Sequence, residues 1–541
     1  YPEREWPNKE IEKAPIWCSV DLRDGNQALV EPMVVEEKIE MFNLLVKLGF
    51  KEIEIGFPAA SQIEYDFLRQ LVERKLIPDD VVVQVLTQCR EHLIKRTFDA
   101  IQGIPKAIVH IYNSTSTLQR EVVFHADREE VKQIAIDGTR MVKKYMKDYD
   151  GKVILEYSPE SFTGTEPEYA LEVCNAVLDV WQPTADRKAI INLPSTVELS
   201  MPHVYASQVE YMSKNLKYRD NVVLSLHPHN DRGCGVSDAE MGILAGADRI
   251  EGTLFGNGER TGNVDIITVG MNMYMQGVDP ELDFSDMPKL CHAFESFTGM
   301  SINPRSPYCG SLVFAAFSGS HQDAISKGMQ ALQKRTDGIW EVPYLPIDPS
   351  DIGREYEPVV RINSQSGKGG VAFVMDSFYG FRLPKGMHKE FADIIQKIAE
   401  KQGEVAPEQI MDEFRANYLD RKEPMHFKKC QITDKEYEGG AFATVAILTF
   451  TDHDTERTVE GVGNGPIDAV QRAIEEALGI EIRVLDYNEH ALRSGSGAQA
   501  ASYIHLMDVK SGRATYGVGI SSNITRASIR GIFSAVNRLF Y

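Results

Sequence analysis

Two histidines at the end of an apolar segment are the residues of this sequence with the clearest chemical potential. His227 and His229 follow "NVVLSL" and are separated by one proline. If that segment is a β-strand, its side-chain period of two directs both imidazoles to the same face. Neutral imidazoles that face the same way are typical metal ligands. The pair therefore predicts a metal site, and the alternative is a chance pair on the surface.

The elements around these histidines predict an α/β fold, a (β/α)8 barrel of the TIM type. Up to about residue 260, short β-rich segments alternate with amphipathic helical patterns. The eight strand candidates are 16–20, 52–57, 81–86, 107–112, 153–158, 189–194, 222–227 and 249–255. Eight such units match a barrel, which needs roughly 250 residues. A doubly wound open sheet is the alternative, but the Gly-rich dinucleotide turn expected after its first strand is missing.

The strand ends of such a barrel collect polar side chains at one rim, where its active site lies. Side chains that can bind a metal or move a proton follow six of the eight strand candidates or end them: Arg23, Asp24, His110, Glu160, Thr196, His227, His229, Asn257 and Asn263. Their convergence is a stronger signal than any one of them. The rim is therefore the predicted site of chemistry.

Asp24 is the carboxylate that we expect to complete the metal site with the two histidines. A mixed nitrogen and oxygen site with open positions suits zinc, manganese, magnesium or iron, and the spacing does not choose among them. Arg23 can neutralise the carboxylate of a 2-oxo acid or a developing oxyanion. The alternative for Arg23 is a structural salt bridge at the rim.

Four further rim residues each have two interpretations. His110 and Glu160 are candidates for proton transfer or substrate binding, and a buried structural histidine is the alternative. Thr196 can hydrogen-bond a carboxylate or cap a helix. The turn that contains Asn257 can hold an anion or be only a turn.

Composition limits the functional classes. The 541 residues carry a formal net charge of −21, which disfavours general affinity for nucleic acid or for anionic membranes. The seven cysteines are scattered without a CxxC motif, which predicts a reduced intracellular protein. No apolar segment has the length of a membrane span. Because the first residue is Tyr1, a targeting peptide can be missing from the N-terminus.

We expect three parts: the barrel with an N-terminal extension over 1–310, helical linker subdomains over 311–425, and an α+β regulatory domain over 426–541. The last part repeats a β-β-α pattern in which "GVG" ends a strand before a helix, at 461–463 and 517–519. In the first copy, "GNGPIDA" places a glycine turn at a helix N-terminus, where backbone N–H groups attract a carboxylate. A simple turn and cap is the alternative.

Three motifs resemble signatures of the DRE-TIM metallolyases: "DLRDGNQAL" (21–29), "HPHNDRG" (227–233) and "LFGNGERTGNVD" (254–265). Within that group the sequence is similar to the long, leucine-regulated 2-isopropylmalate synthases, through "SQSGKGG" (364–370) and "GVGNGPIDA" (461–469). The first motif reads D-L-R-D-G rather than D-R-E. This places the Arg-Asp pair of the group on Arg23 and Asp24.

The resemblance implies a metal-dependent Claisen-type condensation of acetyl-CoA with 3-methyl-2-oxobutanoate. Thioester hydrolysis then gives 2-isopropylmalate and CoA, in the first committed step of leucine biosynthesis. Homocitrate or citramalate synthase activity is the alternative within the group, because one sequence does not fix the pocket for the side chain of the 2-oxo acid. An amidohydrolase-type barrel would carry its HxH pair after the first strand, and a non-catalytic amino-acid sensor would not need a complete Asp-His-His set.

The resemblance also implies roles for individual residues. The metal ligands for Mg²⁺, Mn²⁺ or Zn²⁺ are Asp24, His227, His229 and Asn263, with activation by a monovalent cation. The substrate-binding residues are Arg23, His110, Glu160, Thr196 and Asn257. The catalytic residues are Arg23, Glu160, His321 and Tyr356, of which the last two reach the active site of the neighbouring subunit in a homodimer.

Regulation and location follow from the same resemblance. L-leucine is the expected inhibitor, bound near Gly461, Gly463, Asn464, Gly465 and Ala469. No nucleic acid or membrane partner is expected. A bacterial protein of this kind acts in the cytoplasm, whereas a fungal or plant one acts in an organelle.

Overall fold

The computed structural model describes residues 3–316, 319–356, 362–363, 368–419, 421–437, 441–492 and 499–541. Positions 364–367 of the "SQSGKGG" motif lie outside the described residues. The chain forms two compact units, and each is described by itself. The first unit comprises Tyr1–Val313 with Ile347–Glu355, and the second comprises Phe314–Pro346 with Tyr356–Tyr541.

The first unit is built on a closed barrel of eight parallel strands. Each strand pairs with the next in sequence order, and β8 pairs with β1. The strands are β1 Ile16–Ser19, β2 Glu52–Gly56, β3 Val82–Gln88, β4 Lys106–Ser114, β5 Lys152–Glu160, β6 Ala189–Ser195, β7 Val222–Pro228 and β8 Arg249–Gly252. The predicted (β/α)8 fold is confirmed, and closure of the sheet excludes an open doubly wound arrangement.

Amphipathic helices cover the outside of the barrel. In α1, for example, Ile39, Phe42 and Leu45 recur at three-residue spacing and are buried. The helices of this unit are α1 Val35–Leu48, α2 Gln62–Glu73, α3 Glu91–Ala100, α4 Thr117–Gln119, α5 Arg128–Tyr145, α6 Pro167–Trp181, α7 Pro202–Asn215, α8 Gly235–Leu244, α9 Ile266–Met275 and α10 Met287–Thr298. No helix in the described part of the chain has both the length and the apolar character that a membrane span requires.

The last barrel strand ends earlier than the predicted 249–255. The N–H of Leu254 donates a hydrogen bond to the carboxylate of Asp21, 3.0 Å from Oδ1, and so leaves the strand ladder. The chain then turns through Phe255, whose φ is 56°. This long-range hydrogen bond directs the loop after β8 back across the barrel rim.

The second unit combines helices with two antiparallel sheets. Its helices before the sheets are α11 Gly319–Leu332, α12 Lys368–Tyr379, α13 Lys385–Gln402 and α14 Pro407–Phe414, and its short strands are β9 Ile362–Asn363 and β10 Glu404–Val405. The first sheet contains β11 Met425–Tyr437, β12 Ala441–Asp452 and β13 Thr455–Gly463, followed by α15 Pro466–Leu478. The second contains β14 Ile482–Ala491, β15 Ala500–Asp508 and β16 Ala514–Ser521, followed by α16 Ile524–Phe540.

The internal repeat is present, and each copy has one strand more than the predicted β-β-α unit. The additional strands, β11 and β14, form an edge of their sheets. Their sequences, "MHFKKCQITDKEY" and "IRVLDYNEHA", are rich in charge. Charged side chains are common on edge strands, and they obscure the apolar alternation by which a strand is predicted.

The repeated "GVG" has a packing role in both copies. A Cβ atom on Gly461 would lie 2.1 Å from the carbonyl oxygen of Ala469, and one on Gly519 would lie 2.0 Å from that of Ala527. Only glycine allows the helix backbone to approach its strand so closely. The repeat therefore sets the distance between each helix and the sheet before it.

Candidate metal centre and active site

Asp24, His227 and His229 meet at the carboxyl-terminal rim of the barrel. The Oδ2 atom of Asp24 lies 3.4 Å from Nε2 of His227 and 3.7 Å from Nε2 of His229. The two rings are stacked, with centroids 5.3 Å apart. All three side chains are buried, and their ligand atoms lie within 4.8 Å of one another. A carboxylate and two imidazoles so arranged fit a single divalent cation.

Asn263 lies beside the same atoms. Its Oδ1 is 2.8 Å from Nε2 of His227, so it offers an oxygen as a further ligand. Its Nδ2 donates to the carbonyl oxygen of Asn257 at 3.0 Å. Asn257 in turn donates from Nδ2 to the carbonyl of Gly25 at 3.1 Å. In the structure Asn257 thus joins the loops after β1 and β8 and holds Asn263 in place.

Arg23 lies between two carboxylates. Its Nη1 donates to Oδ1 of Asp24 at 2.6 Å, and its Nε donates to Glu54. Burial raises the pKa of Asp24, but Arg23 and a hydrogen bond from His227 outweigh it and hold the pKa well below its usual range. Asp24 is therefore an anionic ligand at neutral pH. Arg23 thus forms a salt bridge with Asp24 and also lines the cavity.

The carboxylate of Glu251 contacts the other ring nitrogen of His227 and so orients the ring. The Nδ1 of His227 lies 2.7 Å from Oε2 of Glu251. A proton on Nδ1 that is donated to Glu251 leaves the lone pair of Nε2 for a cation. Burial lowers the pKa of His227, but the hydrogen bonds to Asp24 and Glu251 outweigh it and raise the pKa to about 9. Burial and the neighbouring His227 lower the pKa of His229 to about 4.

Glu251 belongs to a buried polar network inside the barrel that sequence reasoning missed. Its Oε1 accepts hydrogen bonds from Arg249 Nη1 and Gln84 Nε2, both at 2.8 Å. Gln84 also donates to Glu54 at 2.6 Å. The network thus links Glu251, which contacts His227, to Glu54, which contacts Arg23. The available signal was a glutamate inside each of two predicted strands, Glu54 in "EIEIGF" and Glu251 in "RIEGTLF".

His110 and Glu160 line the same cavity, and His110 has other partners. Its Nδ1 lies 2.9 Å from Oε2 of Glu54, and its Nε2 lies 2.7 Å from Oγ of Ser158. Burial raises the pKa of Glu160. Among the described residues, His110 is therefore bonded to the interior network rather than to Glu160.

Thr196 also lines the cavity and does not cap a helix. Its Oγ1 accepts the N–H of Ser161 at 2.9 Å, and α7 begins only at Pro202. The cavity has a volume of about 210 Å³. Besides the polar groups, its lining includes Phe57, Leu86 and Pro194. A cavity of this composition can accept an anionic head and a small apolar group.

Comparisons with known proteins cover 99% of the chain. An HMGL-like model matches residues 14–293, an alpha-isopropylmalate synthase post-catalytic domain-like model matches 311–376, and a LeuA allosteric (dimerisation) domain model matches 404–540. The 2-isopropylmalate synthase of Clostridium acetobutylicum is 56% identical to this chain, and the alignment covers 99% of this chain and 96% of that protein. The 2-isopropylmalate synthase of Helicobacter hepaticus is 54% identical, and the alignment covers 99% of this chain and 97% of that protein.

The chain belongs to the 2-isopropylmalate synthase family. The resemblance seen in the sequence motifs is thereby confirmed over the full length. The HMGL-like family depends on divalent metal ions, which agrees with the ligand set of the barrel rim.

Two residues to which the resemblance to this synthase family assigns a catalytic role belong to the second unit. His321 lies in α11, is exposed, and stacks on Tyr344 with ring centroids 4.0 Å apart. The hydroxyl of Tyr356 is buried and has no hydrogen-bond partner among the described residues. A buried hydroxyl without a partner is costly in a folded protein, which favours a ligand or a partner chain beside it.

The leucine-binding residues expected for this synthase family cluster where β13 meets α15. Gly461, Gly463 and Ala469 are buried in that contact, whereas Asn464 is exposed and Gly465 is half-buried. The N–H of Asn464 donates to Oδ2 of Asp468 at 2.8 Å. Of this set, Asn464 and Gly465 are the residues that a ligand can reach in a single chain.

Replacement of Glu251 by glutamine is expected to weaken divalent-cation binding by about 10- to 100-fold, as for other carboxylates that orient a metal-binding histidine. The amide can donate to Nδ1 of His227 and so favour the tautomer that blocks Nε2. Isothermal titration of the full chain with Mn²⁺ or Zn²⁺ measures the affinity.

Glu52→Gln is the matched control for this variant. Within the described part of the chain, Glu52 accepts a hydrogen bond from Nε of Arg249 at 2.6 Å and does not hydrogen-bond to His227. It is expected to bind the cation like the unchanged chain. If the Glu251→Gln and Glu52→Gln variants bound the cation with equal affinity, Glu251 would not support the metal site.

Proposed function

We propose that the chain condenses acetyl-CoA with 3-methyl-2-oxobutanoate and hydrolyses the thioester, releasing 2-isopropylmalate and CoA. The observation that carries the proposal is the buried Asp24–His227–His229 group beside Arg23, in a chain of this synthase family. The cavity has room for a small 2-oxo acid. Its apolar side suits a branched aliphatic substituent.

Asp24, His227, His229 and Asn263 would hold a Mg²⁺, Mn²⁺ or Zn²⁺ ion. The mixed carboxylate, imidazole and amide donors fit such an ion, and when bound it supplies Lewis-acid polarisation of the ketone. Asp24 is the anion among these donors, which favours a divalent charge. Activation by a monovalent cation belongs to the same proposal.

Arg23 stabilises the negative charge that develops on the ketone oxygen during carbon–carbon bond formation. The guanidinium is fixed by Asp24 and Glu54 before substrate arrives, so little reorganisation is needed. Thr196 and His110 contribute hydrogen bonds around the 2-oxo acid, and Glu160 contributes a carboxyl group whose pKa is raised by burial. Asn257 supports the metal side of the cavity through Asn263.

Proton removal from the acetyl group is assigned to His321, assisted by Tyr356. Imidazole is a suitable base near neutral pH, and a phenol can relay or stabilise the charge. The match of residues 404–540 to a dimerisation domain supports a homodimer. In it, His321 and Tyr356 of one subunit serve the barrel of the other.

A complementation experiment tests this sharing of residues. Asp24→Ala and His321→Ala chains are each expected to be nearly inactive. After subunit exchange, mixed dimers contain one barrel with all its groups, so activity should return. Mixtures that stay inactive although heterodimers form would show that each barrel uses its own His321.

The function itself is tested by thiol release from acetyl-CoA with a panel of 2-oxo acids. We expect 3-methyl-2-oxobutanoate to be preferred over pyruvate and 2-oxoglutarate, which are the substrates expected of citramalate and homocitrate synthases. A chelator should stop the reaction. Preference for either of the other acids, or release that requires no 2-oxo acid, would contradict the proposal.

Feedback inhibition by L-leucine is part of the proposed function. The support is the match to an allosteric domain and the turn of Asn464 and Gly465 at the start of α15. Saturating L-leucine should lower the rate of thiol release, and D-leucine is the matched control. An unchanged rate would exclude leucine as effector. The bacterial relatives support a cytoplasmic location.

A further inference from the structure

The second unit contains a cavity with a strongly cationic lining. Its volume is about 320 Å³, and Arg415, Arg421, Lys422 and Arg530 contribute to its walls. The described residues that line it include neither aspartate nor glutamate. In a chain with a formal net charge of −21, this is a local excess of positive charge. Such a concavity attracts anions.

The floor of this cationic cavity is apolar and aromatic. Met425 is 0% exposed and Phe533 is 3% exposed. The ring of Phe427 lies 5.7 Å from that of Phe533, measured between centroids. Because Met425 and Phe533 are buried, the half-buried Phe427 is the aromatic surface on which a flat group can pack while charged groups remain at the rim. The cavity thus suits a ligand with an aromatic part and an anionic part.

The arginines of the cavity are not neutralised by the carboxylates described nearby. The ion pairs between described residues of this unit engage other arginines, namely Arg335, Arg382, Arg457, Arg472 and Arg538. Arg530 donates from Nη1 to the carbonyl of Ile520 at 2.6 Å, which fixes its guanidinium at the wall. Burial and the neighbouring Arg526 lower the pKa of Arg530. An anion in the cavity would relieve this repulsion.

Hydrogen bonds from the buried Asn537 fix the backbone of the segment that carries Arg421 and Lys422. Asn537, which is 1% exposed, donates from Nδ2 to the carbonyls of Arg421 and Met425, both at 2.8 Å. Its Oδ1 accepts the N–H of Met425 at 3.1 Å. A buried amide that satisfies three backbone groups fixes the segment before any ligand binds. Pre-formed walls reduce the entropic cost of binding.

We propose that this cavity binds a nucleotide, with its phosphates on the arginines and its base on Phe427. Arginine pairs with phosphate oxygens in a bidentate manner, and several arginines favour more than one phosphate group. Free nucleoside diphosphates and the 3′-phosphorylated ADP end of coenzyme A share this chemistry. The cavity lies in the second unit, and its assignment does not depend on the proposed reaction in the barrel.

Isothermal titration of the full chain tests the site with ADP, coenzyme A, inorganic pyrophosphate and adenosine. We expect ADP to bind, pyrophosphate to bind more weakly, and adenosine not to bind. The affinity should fall as ionic strength rises, because the rim charges are exposed to solvent. Coenzyme A would be assigned as the ligand of the cavity by one result. It would bind at two sites per chain, and substitution of the cavity arginines would remove one of them.

Arg421→Ala and Arg530→Ala are each expected to weaken ADP binding about tenfold, the usual scale for one lost charged hydrogen bond. Arg483→Ala, which removes an exposed arginine of β14 outside the cavity, is the matched control. The rate of thiol release verifies that the variants are folded. Absence of binding by all four probes at millimolar concentration would overturn the proposal, as would equal ADP affinity of the Arg421/Arg530 double variant.

Discussion

Replacement of Asp24 by alanine is expected to abolish tight binding of a divalent cation and to lower turnover about 1000-fold or more. The Oδ2 of Asp24 is 3.4 Å from Nε2 of His227 and 3.7 Å from Nε2 of His229, so it completes the ligand group. Without it, neutral donors would face a dication beside the positive charge of Arg23. Lewis-acid polarisation is worth several kcal/mol, and each 1.36 kcal/mol is a factor of ten in rate.

Cation titration and thiol release measured on the same preparation test this expectation. Asp231→Ala is the matched control, because Asp231 is also near the barrel rim and pairs with Arg260 at 2.7 Å, outside the ligand group. It should retain the cation. An Asp24→Ala chain that binds Mn²⁺ or Zn²⁺ as tightly as the unchanged chain would exclude Asp24 from the metal site.

The barrel could be predicted from the sequence because its information is local. Each buried strand is a short β-rich segment with turn residues and an amphipathic helix after it, and those patterns fix element type and order. The end of β8 could not be predicted, since it depends on the hydrogen bond from Leu254 to Asp21, 233 residues away. The edge strands β11 and β14 could not be predicted because their charge conceals the period of two.

The candidate site divides in the same way. Arg23 with Asp24, and His227 with His229, are neighbours in sequence, so their pairing was visible in a motif. The role of Glu251, the carboxylate that orients His227, was not visible in a motif. Glu251 is hydrogen-bonded to Gln84, which lies 167 residues away in the chain. A lone glutamate inside a strand predicts a buried ion pair but does not name its partners. Only the closed barrel brings these side chains together.

Replacement of Arg23 by alanine is expected to lower kcat about 100- to 1000-fold, which is the scale for loss of one oxyanion donor. Cation binding should survive, because Asp24 and the two histidines remain and lose a repulsive charge beside them. Arg23→Lys should not restore the rate. A single ammonium cannot bond Asp24 and Glu54 as a fork and also face the ketone oxygen.

Separate measurement of kcat, KM and cation affinity distinguishes this role from a structural one. Arg260→Ala is the matched control, since Arg260 lines the same cavity and pairs instead with Asp231. We expect it to change KM more than kcat, because a cation at the mouth attracts the anionic substrate without touching the reacting carbonyl. If Arg23→Ala lost the cation, Arg23 would be a support of the metal site. If it kept both cation and turnover, the oxyanion would have to be stabilised by other groups of the cavity.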